Sequence, residues 1–552
     1  MPVWNFADVW EEVAAATPDR PAQIQGERVV SWRDFDRRSN ALARHLLEAG
    51  LKQQSKVAVY LTNCPEYLET YYAAFKAGLA PVNTNYRYGP DELFYLFDNA
   101  DAEAIVFHTG YAEQLEAIRD RLTTVKAWIA VEEPGCPTPR WAVEYESIAA
   151  GGAERTVAPW GRSGDDLLLL YTGGTTGLPK GVMWRQDDLF NVLGAGGNVL
   201  LGVPPLESVA EAGERVRRFD AGDPEALPPT VMIAACPLMH GTAQFSAMGA
   251  LTGGGTIVSL PSRHFDPVEL WSEADRLQAN AISIVGNAFA QPMLEVLDAN
   301  PGRWDLSNMR RIGSSGVIWS HDNKEGLLRH LPEGCMLFDS FGSSEAVGLG
   351  ASASVKNAEA ATAMFLPGPT VGVFTEEGER VQPGSGERGM VAVSGFIPLG
   401  YYKDPEKTAK TFRTFEGQRW SVPGDFAEVN EDGSIRLLGR GSQVVNTGGE
   451  KVFPEEVEEA LKTHPAVRDA VVVGVPDPRF GERVCAVVDP REGSRPSLAE
   501  LSAHVKAHLA HYKAPRELVL RPIVRAANGK VDYKGVRAQA LEALAQLATS
   551  ST

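Results

Sequence analysis

The sequence predicts an α/β fold with a large N-terminal domain of mainly parallel layers, a β-rich part, and a small α+β domain at the C-terminal end. Helical and strand patterns alternate through the first half, as they do in parallel βαβ units. After about Pro383, short β segments are separated by Gly, Asp and Asn turns, and after about residue 440 the alternation resumes. The 552 residues also exceed the length at which a single hydrophobic core stops growing.

Periodicity and helix-end signals define the elements of the first half. The segment 31–50 places Phe35 and Leu42 near one helical face and stops at Gly50, a residue type favoured just past a helix end. The patterns that follow are, in order, a strand at 56–61, a helix at 66–78, a strand at 101–107 and a strand at 167–170. The segment 200–229 then breaks the alternation. Because it is charged and rich in proline, it is predicted to be a surface insertion.

A compact domain of roughly 110 residues is predicted to begin near Gly441, a size that is ordinary for a domain. The segment at 453–465 has Pro454 at its start, two glutamates in its first turn and Lys462 near its end, an order that the helix dipole favours. A strand at 469–475 and a helix at 498–510 follow. We therefore divide the chain into an N-terminal domain, 1–440, and a C-terminal domain, 441–552.

Charge and cysteine content limit the classes of protein. The formal net charge is -18, which disfavours binding to nucleic acids or anionic membranes because both are negative. Five cysteines, odd in number and far apart, predict neither a disulfide framework nor a zinc site. The first twenty residues lack a signal-peptide pattern, and no stretch approaches the roughly 18 apolar residues of a membrane span. We expect a cytoplasmic protein with no transmembrane segment and no nucleic-acid partner.

The strand at 167–170 leads into a loop rich in groups that bind phosphate. Glycines let backbone N–H groups approach an anion, while threonine hydroxyls and a lysine ammonium add donors and charge. The loop is not a Walker A motif, because two residues separate Gly177 from Lys180 and a glycine follows the lysine. A flexible turn with a solvated lysine is the alternative. The candidate phosphate-binding residues are Thr172, Gly173, Gly174, Thr175, Thr176, Gly177 and Lys180.

Six motifs occur in an order that resembles the AMP-forming adenylating superfamily of acyl-CoA synthetases, luciferases and peptide-synthetase adenylation domains. The resemblance covers nearly the whole chain. The motifs are YTGGTTGLPKGV at 171–182, DSFGSSEAVG at 339–348, GYYKDPEKT at 400–408, VPGDFAEV at 422–429, LLGRGSQVVNTGGEKVFPEEVEEAL at 437–461 and ANGKVD at 527–532.

The resemblance implies that ATP and a carboxylic acid form an acyl-adenylate and pyrophosphate, after which the acyl group passes to CoA. Glu345 would coordinate Mg²⁺ together with the Thr172 hydroxyl, since that ion prefers hard oxygen ligands and substrate phosphates. Asp425 and Arg440 would bind the ribose, and Phe341 would stack on adenine. The remaining ATP-binding candidates are Gly313, Ser314, Ser315, Asp339, Ser340, Gly342, Ser343 and Ser344.

Two further residues carry catalytic expectations from the resemblance. Lys530 would enter the N-terminal site and bridge the carboxylate, an α-phosphate oxygen and a ribose oxygen, which offsets the charge that develops during attack. His240 would control access to the acyl pocket. On local sequence alone, Lys530 is a turn lysine and His240 a packed or capping residue. The other acyl-pocket candidates are Gly241, Gly286, Asn287 and Gly316.

The second half-reaction would use a mobile C-terminal domain. In the superfamily this domain rotates after pyrophosphate leaves, withdraws the lysine and presents a TGGEK segment beside the pantetheine tunnel. The tunnel candidates here are Thr447, Gly448, Gly449, Glu450 and Lys451. The expected hinge position holds Ser442 instead of Asp or Lys, and Gly173 stands where many members have a hydroxyl residue. Phe341 and Ser344 replace Tyr and Thr but keep the aromatic face and the hydroxyl.

The motif forms look most like synthetases that activate long-chain or steroid side-chain acids, which indicates a sizeable hydrophobic carboxylic acid as substrate. Since the 200–229 segment precedes His240, we hypothesise that it shapes or covers the acyl entrance. A homodimer is considered as the oligomeric state.

Four other functions are less consistent with the sequence or need an assay to separate them. A peptide-synthetase adenylation domain would usually be followed by a carrier domain, and the chain ends soon after Lys530. A luciferase would share both the phosphate loop and the C-terminal lysine, and only an assay with luciferin and oxygen separates the two. A binding protein without turnover is disfavoured by Glu345, Asp425 and Lys530 occurring together, and a P-loop kinase by the missing Walker A spacing.

Overall fold

The computed structural model describes residues 3–172, 178–198, 202–316, 319–357, 364–447, 450–477, 481–509, 511–526 and 531–549. The α-helices of these residues are α1 Phe6–Ala16, α2 Trp32–Glu48, α3 Pro65–Lys76, α4 Pro90–Asn99, α5 Ala112–Glu116, α6 Tyr145–Ala149, α7 Gln186–Val192, α8 Val209–Asp220, α9 Gly241–Thr252, α10 Pro267–Arg276, α11 Asn287–Ala299, α12 His321–His330, α13 Pro405–Thr411, α14 Pro454–Lys462, α15 Leu498–His508 and α16 Tyr533–Thr549.

The β-strands are β1 Pro21–Gln25, β2 Arg28–Ser31, β3 Lys56–Tyr60, β4 Ala80–Asn83, β5 Ala102–His108, β6 Ala127–Val131, β7 Val143–Glu144, β8 Leu167–Thr172, β9 Lys180–Arg185, β10 Val231–Ala234, β11 Thr256–Ser259, β12 Ala281–Ile284, β13 Arg311–Ser315, β14 Met336–Ser343, β15 Ala346–Val355, β16 Met364–Phe365, β17 Val371–Phe374, β18 Arg388–Ser394, β19 Gly400–Tyr401, β20 Phe412–Phe415, β21 Gln418–Ser421, β22 Asp425–Val429, β23 Ile435–Arg440, β24 Val445–Thr447, β25 Glu450–Val452, β26 Val467–Asp477, β27 Gly481–Pro490 and β28 Glu517–Leu520.

Two eight-stranded sheets form the large N-terminal part. Sheet A has the strand order β15-β14-β13-β12-β10-β11-β1-β2, and sheet B has the order β19-β9-β8-β4-β3-β5-β6-β7. Sheet A contains six strands that are parallel to one another: β1, β10, β11, β12, β13 and β14. At its two ends, β2 is antiparallel to β1 and β15 is antiparallel to β14. The predicted fold class, with a mainly parallel α/β domain, is confirmed.

The remaining strands form two smaller sheets. Sheet C is antiparallel, has the order β16-β23-β22-β18-β21-β20, and carries β17 beside β18. It is the β-rich part that the Gly, Asp and Asn turns predicted. Sheet D, with the order β25-β24-β27-β26 and β28 parallel to β27, belongs to the small C-terminal domain together with α14, α15 and α16.

Helix α3 occupies the centre of the N-terminal part, since all twelve of its residues are buried. The Gln244 amide of α9 donates to the Tyr71 hydroxyl of α3 at 2.6 Å, so the two helices pack in the same interior layer. None of the described helices is long and apolar enough to cross a membrane. All five cysteines are free thiols, as the sequence predicted.

The predicted elements of the first half are found as α2, β3, α3, β5 and β8, and those of the C-terminal region as α14, β26 and α15. The start of α2 shows why the prediction succeeds. Ser31 caps the helix by accepting a hydrogen bond from the Asp34 N–H at 3.1 Å, and Gly50 follows the helix end with φ 84°.

The segment 200–229, predicted to be a surface insertion, contains a helix that the sequence analysis did not identify. This helix, α8, buries Ala212, Gly213 and Val216. Prolines on both sides hid the helical spacing of these three residues. At Gly213 a Cβ atom would lie 2.9 Å from the Glu12 carbonyl oxygen of α1, so the two helices can approach this closely only with glycine there.

Candidate active site

A cavity of about 2230 Å³ lies where the carboxyl ends of strands from sheets A and B meet. Parallel strands end at a common edge, so motifs that are far apart in the chain come together there. The sequence-predicted residues that line the cavity are Thr172, Lys180, His240, Gly241, Gly313, Ser314, Ser315, Gly316, Asp339, Ser340, Phe341, Gly342, Ser343, Ser344, Glu345 and Asp425.

The Glu345 carboxylate is held in place by a neighbouring strand. Tyr401 of β19 donates its hydroxyl to Glu345 Oε1 at 2.7 Å, and Ser421 donates its hydroxyl to the Glu345 carbonyl at 2.6 Å. The Trp184 indole N–H donates to the adjacent Ser344 carbonyl at 3.0 Å. Side chain and backbone of this cavity-lining residue are therefore both held in place.

Lys180 lies directly across the β8–β9 pair from Thr172. Its ammonium forms an ion pair with the Asp404 carboxylate, which also caps α13 by accepting from the Lys407 N–H at 2.8 Å. The Lys180 hydrogen bond holds the pKa of Asp404 below its usual value. A phosphate that binds Lys180 competes with this carboxylate for the positive charge of the ammonium.

Asp425 and Arg440 face each other in the antiparallel β22–β23 pair. Opposite residues of such a pair have Cβ atoms about 4.5–5.5 Å apart. The Asp425 side chain is buried, whereas the side chain of Arg440 lies outside the described part of the structure. The backbone thus brings the two ribose-binding candidates side by side.

Asp339 lies in the interior beneath the predicted adenine site. Burial raises its pKa to about 6, although the Lys324 ammonium, 3.3 Å from Asp339 Oδ2, opposes the shift. The Phe341 ring, two residues on, packs at 5.4 Å from the Phe365 ring, and both rings line the cavity. An adenine at Phe341 would meet an aromatic pair.

The acyl-pocket candidates fall into two groups. His240 is the half-buried residue immediately before α9, where it lines the cavity with Gly241. The Gly286 N–H donates to Ser314 Oγ at 2.9 Å, which places it against the wall of the cavity. Asn287 uses its amide oxygen to accept from the Ser320 N–H and hydroxyl at 3.0 and 3.1 Å, so it anchors the start of α11.

Several candidates fall outside the described residues: Gly173, Gly174, Thr175, Thr176, Gly177, Gly448, Gly449 and Lys530. The side chains of Ser442, Glu450 and Lys451 are also outside the description. Thr447 is buried at the end of β24. In the described C-terminal part, α14, Arg525, Val531 and Tyr533 supply lining residues of the cavity.

Sequence reasoning missed three residues that shape the site. Tyr401 and Asp404 both stand in the GYYKDPEKT motif, and the motif was the sequence signal that could have identified them. Their contacts could not be predicted, because their partners Glu345 and Lys180 are distant in sequence. Asn83, at the end of β4, had no sequence signal.

The Asn83 amide ties the phosphate-loop strand to the loop before His240. It donates to the Tyr171 and Met239 carbonyls at 2.9 and 2.7 Å and accepts from the Tyr171 N–H at 2.6 Å. These three bonds fix the positions of Thr172 and His240 relative to each other.

Comparisons with known proteins agree with this geometry. Residues 10–402 match the family model described as AMP-binding enzyme, and residues 456–530 match the AMP-binding enzyme C-terminal domain. The chain is 41% identical over 540 residues, covering 96% of it and 95% of the relative, to a medium/long-chain-fatty-acid–CoA/3-oxocholest-4-en-26-oate–CoA ligase of Mycolicibacterium smegmatis. It is 40% identical over 546 residues, covering 97% and 96%, to a 3-oxocholest-4-en-26-oate–CoA ligase of Rhodococcus rhodochrous.

Solved structures share the fold. A crystal structure of an anthranilate CoA ligase in complex with anthranoyl-AMP has a TM-score of 0.83 and 20% identity, with 99% of each chain covered. The ATP-bound structure of MatB from Rhodopseudomonas palustris has a TM-score of 0.76 and 24% identity, with 97% and 99% covered.

Proposed function

The chain belongs to the AMP-binding enzyme family, and on that premise we propose that it is an ATP-dependent, AMP-forming acyl-CoA ligase. It activates a hydrophobic carboxylic acid as acyl-AMP with release of pyrophosphate and then transfers the acyl group to CoA. The observation that carries the proposal is the convergence of Thr172, Lys180, Glu345 and Asp425 on one cavity that also contains His240 and Gly316.

In the first step the acid's carboxylate oxygen attacks the α-phosphorus of ATP, and the bond to pyrophosphate breaks. Two anions have to meet, so the site must neutralise charge and position the reactants in line. Lys180 and the phosphate-loop hydroxyls hold the departing phosphates once Asp404 has been displaced. Lys530 bridges the attacking carboxylate and the α-phosphate, a preorganised electrostatic role. Asp425 and Arg440 fix the ribose.

The residues present fit a magnesium ion. Within the described residues no group of three or more His, Cys, Asp or Glu side chains could hold a metal by itself. Magnesium bound with a nucleotide needs fewer protein ligands, because the phosphates and water complete its coordination. Glu345, oriented by Tyr401, and the Thr172 hydroxyl would supply hard oxygen ligands, and the ion would neutralise phosphate charge.

For the second step we assign the C-terminal domain, 441–552, a rotation about the turn that contains Ser442. The rotation withdraws Lys530 and presents the hairpin from Thr447 to Lys451 beside the pantetheine arm of CoA. The CoA sulfur then attacks the acyl carbonyl, the bond to the AMP oxygen breaks, and thioester and AMP are released. A short hinge of this kind can absorb the backbone change.

The substrate that we propose is a medium- or long-chain fatty acid or a steroid side-chain acid. Two observations support it: the cavity extends past the nucleotide candidates between apolar residues such as Met336 and Phe338, and the relatives are named for such substrates. Helix α8 contributes Ala212 and Val216 to the cavity lining, which supports a role for the 200–229 segment in shaping the acyl pocket. A cytoplasmic homodimer is part of the same proposal.

The test is pyrophosphate release and CoA-thioester formation with a panel of fatty, aromatic and steroid acids. We expect ATP- and acid-dependent pyrophosphate release, followed by thioester formation when CoA is added. Pyrophosphate without thioester would favour another acceptor, such as a carrier protein or a luciferase-like oxidation. No adenylation of any acid would refute the proposal.

A further inference from the structure

The cavity spans sheet A from its carboxyl edge to its amino edge. His240 and Gly316 follow β10 and β13 at the carboxyl edge, whereas Thr230 and Arg311 stand at the starts of the same strands. Because β10, β12 and β13 are parallel, Thr230 and Arg311 share the opposite edge. The four steps from Arg311 to Ser315 cover about 13 Å at ~3.3 Å per residue. Arg311 therefore borders the end of the cavity remote from the predicted reaction centre.

Arg311 has an unusual set of partners for a guanidinium that is largely buried. One terminal nitrogen donates to the Thr230 hydroxyl at 3.1 Å, and among the described residues no carboxylate lies within salt-bridge distance of it. A guanidinium has five N–H donors, so this single side-chain bond leaves most of them for another acceptor. On the intervening strand β12, Ala281 is opposite Arg311 and has only a small side chain beside the guanidinium.

Other buried arginines of this protein are paired with acids. Arg162 bonds to Glu11 and Asp8, Arg38 to Glu69 and Glu146, and Arg525 to Asp469. Burial alone lowers the pKa of Arg311, with no acidic neighbour to oppose it. A cation removed from water without a counter-charge is costly to a protein. Its position in the cavity lining leaves its remaining donors open to the cavity, where a bound molecule can supply an acceptor.

The cavity between the two edges is suited to an apolar body. Met336 and Phe338 line it from β14, the strand next to β13. On α9, a Cβ atom added at Gly249 would meet no atom within 4 Å, so the lining helix leaves open space at that level. A ligand that fills this region is apolar along its length and polar at both ends.

We propose that Arg311, together with Thr230, binds an acceptor oxygen at the end of the acid that is remote from the reacting carboxylate. The proposal rests on the acyl-CoA ligase function above and narrows its substrate class to hydrophobic acids with a distal ketone or carboxylate oxygen. The steroid acid considered above carries such a ketone. An oxygen bound by Arg311 would also set the depth of the acid and thereby place its carboxylate at the adenylation site.

The experiment compares acids that share one carbon skeleton over a series of chain lengths: the simple fatty acid, its keto acid with the oxygen near the distal end, and the α,ω-dicarboxylic acid. A steroid acid with and without its 3-oxo group forms a second pair. Pyrophosphate release gives kcat/KM for each. We expect the oxygenated acid of the matching length to be preferred by about 10- to 100-fold, as for a hydrogen bond to a charged group.

Arg311→Met should abolish that preference, and Arg311→Lys should restore part of it, because the ammonium keeps the charge and a donor. Arg329→Met is the control: it removes an exposed arginine of α12 that does not line the cavity and should leave the preference intact. Thermal unfolding of each variant monitors folding. Preference for the keto acid or for the diacid identifies the oxygen source, and either supports the proposal.

Equal kcat/KM for oxygenated and simple acids in the unaltered protein would overturn the proposal and leave the ligase function standing. A preference that persists in Arg311→Met would overturn it as well. Absence of pyrophosphate release with every acid would instead refute the function on which it rests.

Discussion

Lys180 borders the cavity near the carboxyl end of β8 in sheet B, and Arg311 borders it at the amino edge of sheet A. The two cations have different partners. Lys180 is partly exposed and ion-paired with Asp404. Arg311 is largely buried and bonded to the Thr230 hydroxyl. A ligand that binds Lys180 has to compete with the Asp404 carboxylate. A ligand that binds Arg311 would instead add a hydrogen-bond acceptor to the one that the Thr230 hydroxyl provides.

This difference in partners indicates that the two ends of the cavity have different functions. An exposed ion pair contributes only about 0–1 kcal/mol, so a nucleotide phosphate can exchange with Asp404 at little cost and leave again after reaction. A buried guanidinium discriminates strongly, because an acid without the matching acceptor leaves its donors unpaired. We infer that the carboxyl edge carries out chemistry on every acid and that the amino edge selects among acids.

The largest effect is expected for Lys530→Ala, which alters only the end of the cavity where the acid reacts with ATP. Loss of the electrostatic contact should lower the rate of acyl-adenylate formation by about 100- to 1000-fold. The loss should be the same for the keto acid and the simple acid, so that their ratio is kept. Pyrophosphate release measures the first step, and thioester formation from supplied acyl-AMP measures the second, which should fall far less.

Lys534→Ala, an exposed lysine near the start of α16, is the control and should behave as the unaltered protein. Equal losses in both half-reactions for Lys530→Ala would contradict the two-state division of labour. A change in the ratio of the two acids would show that the two ends of the cavity are not independent.

A smaller effect is expected at two matched asparagines. Asn83 makes three bonds to Tyr171 and Met239, and Asn63 makes three bonds to the Ala234 and Cys236 carbonyls and the Leu238 N–H. Alanine at either position should cost comparable stability. Only Asn83→Ala frees the strand that leads into the phosphate loop, so it should raise KM for ATP by about tenfold, as expected for the loss of roughly 1.4 kcal/mol of positioning.

Steady-state kinetics with ATP and acid varied in turn, beside thermal unfolding, separates these outcomes. Asn63→Ala should change KM for ATP by no more than about twofold, because little binding free energy is lost at the nucleotide. It should affect chiefly KM for the acid, since the partners of Asn63 lie in the segment just before His240. If both variants change KM for ATP equally, Asn83 has only a structural role.

The smallest effect is expected for Asp404→Asn. Asparagine also caps helices, so α13 should keep its first-turn hydrogen bond while the counter-charge of Lys180 is removed. ATP should then bind about two- to fivefold more tightly, as the loss of an exposed ion pair allows. Isothermal titration calorimetry with ATP measures this change in affinity. Weaker binding would mean that Asp404 orients Lys180 for phosphate, and the proposed exchange would be wrong.

Local signals predicted much of the fold. The apolar face and end of α2, the apolar run of β8 and the acidic first turn of α14 each depend on neighbours within a few residues, and all three were correct. Helix α8 was missed because its apolar face is only three residues wide and prolines flank it.

The residues of the site also fall into those that local motifs predicted and those that depend on the tertiary structure. Lys180, Glu345 and Asp425 stand in motifs and were predicted, and the structure brings them to one cavity. Asn83 and Arg311 were missed because their importance comes from strand register and burial. No residue near Arg311 in the sequence shows that Thr230 lies beside it or that no carboxylate does.

The contact of Gly213 with α1 connects acid selection to the N-terminus of the chain. Helix α8 lines the cavity in which we propose that the acid binds, and at Gly213 it approaches the Glu12 carbonyl of α1 closely. A substitution in α1 that shifts this helix pair would change the width of the pocket without touching a residue that contacts substrate. Acyl preference can therefore drift in evolution, or be altered by directed selection, through the first sixteen residues while the adenylation chemistry stays intact.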